Sequence, residues 1–261
     1  MNSRLSVTAT ISTLNRANTT LPLVLMGVVG QTVAPDRLVL FDDGREPKLA
    51  EHPVLSHIFR LFERRNIAWE VIPGQQSGQT VNHQAALDMC TTDCIWRLDD
   101  DSVAEAQVLE ILLGHLAAGM SVGAVGGLVL NPKRTLSVPA GERFNQIEDV
   151  LTTPNIQWCD QPPAIHLVDH LYSTFLYRVR AAAHGYCQEL SVVGHREETI
   201  FTYEMKRAGW DILVDTSARL WDMQQPSGGT RLFADREDLF EHNEAVFMRK
   251  LREWGVKVNR R

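Results

Sequence analysis

Short apolar or β-branched runs alternate with segments of helical period along this chain, and that alternation leaves few architectures open. "LSVTATIS" alternates like a strand and runs into the polar "TLNRANTT". "LPLVLMGVVGQ" then has apolar residues at helical spacing, with Pro22 near its start and Gly30 as a stop. "RLVLF" is a continuous apolar run ending in Asp42-Asp43-Gly44, the pattern of a strand covered on both faces and followed by a turn. The order repeats through a helix from about Val54 to Arg64, the strand "IAWEVIP", the loop "GQQSGQ", the helix "TVNHQAALDM" and the strand "CIWRL". "VAEAQVLEILLGHLAAG" is expected to be one long amphipathic helix, and "VGAVGGLVL" the next strand. Such a series predicts right-handed βαβ units, a mostly parallel central sheet flanked by helices, and ligands beyond the carboxyl ends of the strands.

From Asn131 to about His170 the alternation stops. Pro132, Pro139, Pro154, Pro162 and Pro163 are scattered through an irregular excursion, which in a compact domain is more often functional than a linker. "LYSTFLYRV" returns as a strand, and "REETIFTYEMKRAGW" is a helix with Phe201, Met205 and Ala208 on one face and Gly209 as its stop. "DILVD" and "ARLWD" are expected to close the domain as strands. The tail from about Leu232 reads as one or two charged amphipathic helices, through which a homo-oligomer could form. The expected division is one domain over residues 1–230, with a break in pattern near residue 130, and a helical extension over 231–261.

Composition excludes several functions. With 32 acidic and 26 basic residues the formal charge is -6, and no extended basic cluster occurs, so nucleic acid and anionic membrane are disfavoured as partners. The opening "MNSRLSVTATISTLNR" lacks the apolar core of a signal peptide, and no apolar stretch reaches the length of a membrane span. A soluble cytoplasmic protein is expected. Cys90, Cys94, Cys159 and Cys187 lack metal-site spacing and read as reduced, mostly buried thiols.

Chemistry concentrates at strand ends. Thr13, Asn15 and Arg16 follow the first strand, Asp42 and Asp43 the second, and "IWRLDDDSV" ends the fourth with Asp99, Asp100 and Asp101. Three adjacent like charges need open water or a cation to offset their repulsion. One reading is a solvated turn with Ser102 capping the following helix. The other is a site for Mg²⁺ or Mn²⁺, hard cations that accept one or two carboxylates and take further oxygens from water and a diphosphate. Extended geometry carried that far would put Asp99 and Asp101 on one side and Asp100 on the other.

In this order of elements the chain resembles the family 2 glycosyltransferases of the GT-A fold from about Ser6 to Asp222. The resemblance lies in "ISTLNR", "GQTVAPDRLVLFDDG", "SGQTVNHQAAL", "RLDDDS" and "EETIFTYEMKRAGW". It implies a Rossmann-like α/β domain whose residues 1–130 bind a nucleotide sugar and whose residues 131–230 bind the acceptor and carry catalysis. Thr13, Asn15, Arg16, Asp42, Gly78, Asn82, Asp99 and Asp100 would hold the nucleotide sugar, with Asp42 facing the base and ribose. Asp99 and Asp101, or Asp100 and Asp101 in a shifted register, would hold Mn²⁺ or Mg²⁺. Glu198, preceded by Glu197, stands where the family has its catalytic Asp, and Asp222 where it usually has a metal-binding His.

The activity implied is metal-dependent, inverting transfer of a sugar from a nucleotide diphosphate donor, UDP-sugar foremost, to an acceptor hydroxyl. Two other readings compete. A nucleotidyltransferase could share the nucleotide-binding half, but "TLNRANTT" has no glycine and a single arginine where a phosphate loop is expected. A protein that binds nucleotide sugars without turning them over would accommodate the departures at Glu198 and Asp222. The acceptor is not specified by any motif.

Overall fold

The computed structural model describes residues 4–44, 48–74, 76–134, 136, 144–224, 227–229 and 236–259. β1 (Val7–Thr13), α1 (Leu21–Val29), β2 (Arg37–Asp42), α2 (Pro53–Arg64), β3 (Ala68–Pro73), α3 (Gln79–Asp88) and β4 (Cys94–Asp99) follow in the expected order. Next come β5 (Ser102–Ala104), α4 (Val108–Ala118), β6 (Val122–Leu130), β7 (Ile165–Val168), β8 (Phe175–Arg178), α5 (Glu197–Arg207), β9 (Asp211–Asp222) and α6 (Arg236–Glu253).

Among the described residues nine strands form one sheet in the order β3-β2-β1-β4-β8-β6-β9-β5, with β7 also pairing β9. The first four are mutually parallel, as the alternation predicts. The second half is mixed: β8 runs antiparallel to β4 and β6, β9 is parallel to β6, and β5 and β7 are antiparallel to β9. Antiparallel pairing enters where the excursion after β6 returns the chain, and among its described residues only the short 3₁₀ turns Ile147–Asp149 and Ile156–Trp158 precede β7, with no crossover helix.

Strand alternation sorts the layers. Val7, Ala9, Ile11, Leu38, Leu40, Trp96 and Leu98 pack with the apolar faces of α1, α2 and α4. On the other face Val39 and Phe41 meet Ala86 of α3. Ile95 and Tyr177 meet Phe201 and Met205 of α5 on that same side. Sides buried this completely, at about 1.5–3 kcal/mol for each large apolar side chain, fix the strand register. That register aligns Thr13 with Asp42 and Ser12 with Asp99, so three strand ends finish at one rim.

Two elements differ from expectation. The start of the predicted fourth-strand helix is strand β5, pairing Ser102, Val103 and Ala104 with Asp222, Trp221 and Leu220, so Ser102 caps no helix. Periodicity could not separate these residues from α4, because Ala104, Val108 and Leu112 recur at helical spacing across the boundary. "DILVD" and "ARLWD" form one twelve-residue strand, β9, whose register against β6 shifts between Gly126 and Leu128. Among the described residues of the tail there is one helix, α6, within the one or two expected. Its apolar face, which left self-association open in the sequence, packs Val246, Phe247 and Leu251 into its own chain, with Phe247 and Leu251 against Ile147 and Ile200.

Candidate active site

A cavity of about 800 Å³ opens at the rim where β1, β2 and β4 end. Ser12 to Arg16 and Asp43 line one side, Asp99 to Asp101 the floor, and Gly78, Gln79 and His83 of α3 the adjoining wall. Val192 to Arg196 and Glu198, at the start of α5, form the opposite wall together with Tyr172 and Ser173. Asp222, Gln224 and Gly229 after β9 and Arg236 and Phe240 of α6 complete it.

The acidic run does not keep strand geometry beyond Asp99, because residues 100 and 101 turn. Thr13 Oγ1 donates to Asp100 Oδ2 at 2.7 Å, and Thr20 Oγ1 donates to the Asp100 carbonyl at 2.8 Å. Arg16, 5% exposed, puts Nη1 3.2 Å from Asp101 Oδ2 and Nε 3.9 Å from Asp100 Oδ1. The returning chain closes over it. Gly229 N donates to the Leu14 carbonyl at 2.8 Å, and a side chain at Gly228 (φ +79°) would come within 2.9 Å of Arg16.

The three acids are therefore not equivalent. Asp99 Oδ1 lies 3.1 Å from Arg97 Nη1 and Asp99 Oδ2 accepts from Ser173 Oγ. Burial, set against Arg16 and the bond from Thr13, pushes Asp100 up to about 6. Burial followed by the charges of Asp100, Asp99 and Asp222 pushes Asp101 up to about 7. Among the described residues no three His, Cys, Asp or Glu side chains converge closely enough to hold an ion alone. Asp101 and Asp222 both line the cavity, the Asp222 charge is among those that raise Asp101, and Met223 N donates to the Asp101 carbonyl at 2.9 Å. Their hard oxygens fit Mg²⁺ or Mn²⁺ where a diphosphate and water supply the rest of the coordination.

Two residues assigned to the nucleotide by resemblance lie elsewhere. Asp42 does not line the cavity: its Oδ1 accepts from Gly44 N at 2.9 Å in a local turn, and burial raises its pKa. The next residue, Asp43, lines the cavity instead. Asn82 is 3% exposed and acts behind that wall, donating to Ser12 Oγ at 2.8 Å and Asp43 Oδ2 at 3.0 Å. Gly78 is on the wall with φ +87°, and a Cβ there would lie 2.4 Å from the Val192 carbonyl oxygen, so only glycine fits. Thr13, Asn15, Arg16, Asp99 and Asp100 line the cavity.

The two glutamates separate as well. Glu198 lines the cavity, while Glu197 is 1% exposed beneath it. Between them lies Arg97, which the sequence reading passed over. Its Nη2 donates to Glu198 Oε1 at 3.3 Å, and its Nε lies 3.4 Å from Glu197 Oε1. Burial raises the pKa of both glutamates against the pull of Arg97. One signal was available: an arginine inside the apolar run "CIWRL" must have buried partners. His83 on the wall is kept neutral, its pKa lowered well below the usual value by burial and by Arg97.

A mixed sheet flanked by helices, with a cavity at the ends of its parallel strands, is the architecture of the GT-A glycosyltransferases among the solved structures it resembles. The family model for glycosyl transferase family 2 matches residues 8–182, and the chain belongs to that family. Among solved structures it is similar to S. aureus TarS, with a TM-score of 0.61 and 15% identity over 95% of this chain and 40% of that one. It is also similar to GalNAc-T7 in its structure with UDP, GalNAc and Mn²⁺, at TM-score 0.66 and 14% identity over 86% of this chain and 45% of that one. A third likeness is to S. aureus TarS 1-349 with UDP-GlcNAc, at TM-score 0.65 and 14% identity over 95% and 67%. The chain thus spans less than half the length of the first two. No curated protein matches it in sequence.

Proposed function

We propose that this chain transfers a glycosyl group from a nucleotide diphosphate sugar, UDP-sugar foremost, to an acceptor hydroxyl with inversion at the anomeric carbon. Residues 1–130 bind the donor, and residues 131–230 supply the base and the acceptor wall. The carrying observation is that Glu198, Asp101 and Asp222 open into the same cavity as Thr13, Asn15 and Arg16, although they come from distant parts of the chain.

Glu198 takes the proton from the acceptor hydroxyl, and the freed oxygen attacks the anomeric carbon from the face opposite the diphosphate. The anomeric C–O bond breaks and its electron pair leaves with the nucleoside diphosphate. Asp101 and Asp222 would hold Mn²⁺ or Mg²⁺, which when bound neutralises charge on the diphosphate. Arg16 adds a fixed positive charge at that end of the cavity, and Asp43 with Asn82 behind it shapes the nucleotide end. The raised pKa of Glu198 brings it nearer the operating range of a general base.

We place the protein in the cytoplasm: its four cysteines are free thiols, which suits a reducing compartment. Among the described residues no helix is long and apolar enough to cross a membrane.

The test is UDP release from a panel of UDP-sugars with and without Mn²⁺. Glu198→Gln should lower turnover roughly 10²–10⁴-fold while calorimetric donor binding persists. Asp101→Asn should remove the stimulation by metal. Unchanged turnover in both variants refutes the assignment. Donor binding without turnover across many acceptors marks a binding protein, and pyrophosphate release marks a nucleotidyltransferase.

A further inference from the structure

Arg97 is completely buried in β4. Alternation along the strand sends Trp96 and Leu98 into the core under α1 and α4 and turns Arg97, with Asp99, towards α5. There its guanidinium meets three carboxylates from two elements. Nη1 lies 3.1 Å from Asp99 Oδ1 and also donates to the Ser173 carbonyl. Nε lies 3.4 Å from Glu197 Oε1, and Nη2 3.3 Å from Glu198 Oε1. The Phe175 ring lies 5.6 Å from its carbon centre and limits its movement. A lysine at this point would offer a single ammonium, whereas the planar fork serves all of these acceptors at once.

We propose that Arg97 is the positioning residue of the transfer reaction, locking the Glu198 carboxylate onto the cavity wall and separating it from the neighbouring acids. This rests on Glu198 being the base. The charged and titratable groups facing Glu198 are Arg97 and Asp99 of β4, Glu197 and His195 at the start of α5, and Tyr172 ahead of β8. Of these, Arg97 and His195 favour its charged form and Asp99 opposes it. Losing Arg97 therefore makes Glu198 harder to ionise and frees it to turn.

The experiment uses the full chain with Arg97→Lys, Arg97→Met, Glu197→Gln and the double variant Arg97→Met/Glu197→Gln. The double variant removes one buried carboxylate together with the cation, so it serves if Arg97→Met alone does not fold. UDP release is followed against pH and donor concentration, and the Glu198 carboxyl is titrated by carbon-13 NMR, assigned with Glu198→Gln. In Arg97→Lys, kcat should fall roughly tenfold or more while the donor KM stays within about twofold. In the double variant, the acid limb of kcat/KM and the Glu198 titration should both move up by about one pH unit or more relative to Glu197→Gln. A folded variant with neither moved overturns the proposal. Should the wild-type chain release no UDP, the transferase reading fails on its own, and the Glu198 titration alone upholds or overturns the role of Arg97.

Discussion

Glu244 belongs to no motif, yet it sets the backbone ahead of Glu198. Arg196 adopts φ +72° just before α5, a conformation that costs a non-glycine residue about 1–3 kcal/mol. Its Nε donates to Glu244 at 3.0 and 3.1 Å and its Nη2 at 2.5 Å, while its guanidinium lies 4.9 Å from the Phe247 ring centroid. Burial would raise the Glu244 pKa, but hydrogen bonds from His195 and Arg196 and the Arg196 charge hold it down at about 2. A carboxylate depressed on folding stabilises the native state above its unfolded pKa and ceases to do so as pH falls through the folded value. Glu244→Gln should therefore lower the melting temperature at neutral pH, with the difference from wild type shrinking as pH drops from 4.5 towards about 2. A difference of equal size at every pH would show that this ion pair does not fix the turn. The turn after β2 acts at the same scale, on Asp42 and Asp43. Both were visible as strand-end acids, but which of them faces the cavity depends on the turn through Gly44, a geometry that residue type does not encode.

Among the elements, α6 shows most clearly what packing adds. Its sequence reads as an amphipathic helix, but nothing in that pattern names the surface it covers. In the fold its Phe247 is fully buried in a cluster containing Ile147, Ile200 of α5 and Leu251. Asn243 Oδ1 accepts from Ser191 N at 2.7 Å, and the Phe240 ring lies tilted against His195 in the cavity wall, with centroids 4.6 Å apart. Phe247→Ala should reduce the unfolding free energy in denaturant by about 3–5 kcal/mol, as for other buried phenylalanines. A loss below about 1 kcal/mol would mean that α6 is not part of the cooperative unit. Strand β5 makes the converse point. Its three residues have no strand signature of their own and are extended because Asp222, Trp221 and Leu220 offer them a pairing edge. Gly27 assists by letting α1 approach: a Cβ there would lie only 3.1 Å from the Ala104 carbonyl oxygen.

For the molecule as a whole, the cavity joins the parallel half of the sheet to the mixed half, and a bound donor would touch both. A ligand selective for the native state stabilises it by RT ln(1 + [L]/Kd), about 2.7 kcal/mol at a hundredfold excess over Kd. UDP or a UDP-sugar with Mn²⁺ should thus raise the melting temperature, and the part of the rise that depends on Mn²⁺ should vanish in Asp101→Asn. No shift with any nucleotide sugar, with or without the metal, would remove the donor site. What the amino-acid sequence determined by itself is the order of the elements and the placing of Thr13 to Arg16, Asp42-Asp43 and Asp99 to Asp101 at strand ends, and of Glu198 at a helix start. Those features follow from local periodicity and turn chemistry, which act over a few residues. Only the tertiary structure decided that Arg97 meets Glu198, 101 positions away, that Asp43 rather than Asp42 faces the cavity, and that α6 closes one wall. Each of these depends on strand pairing and burial between segments far apart in the chain, and no short-range pattern carries that information.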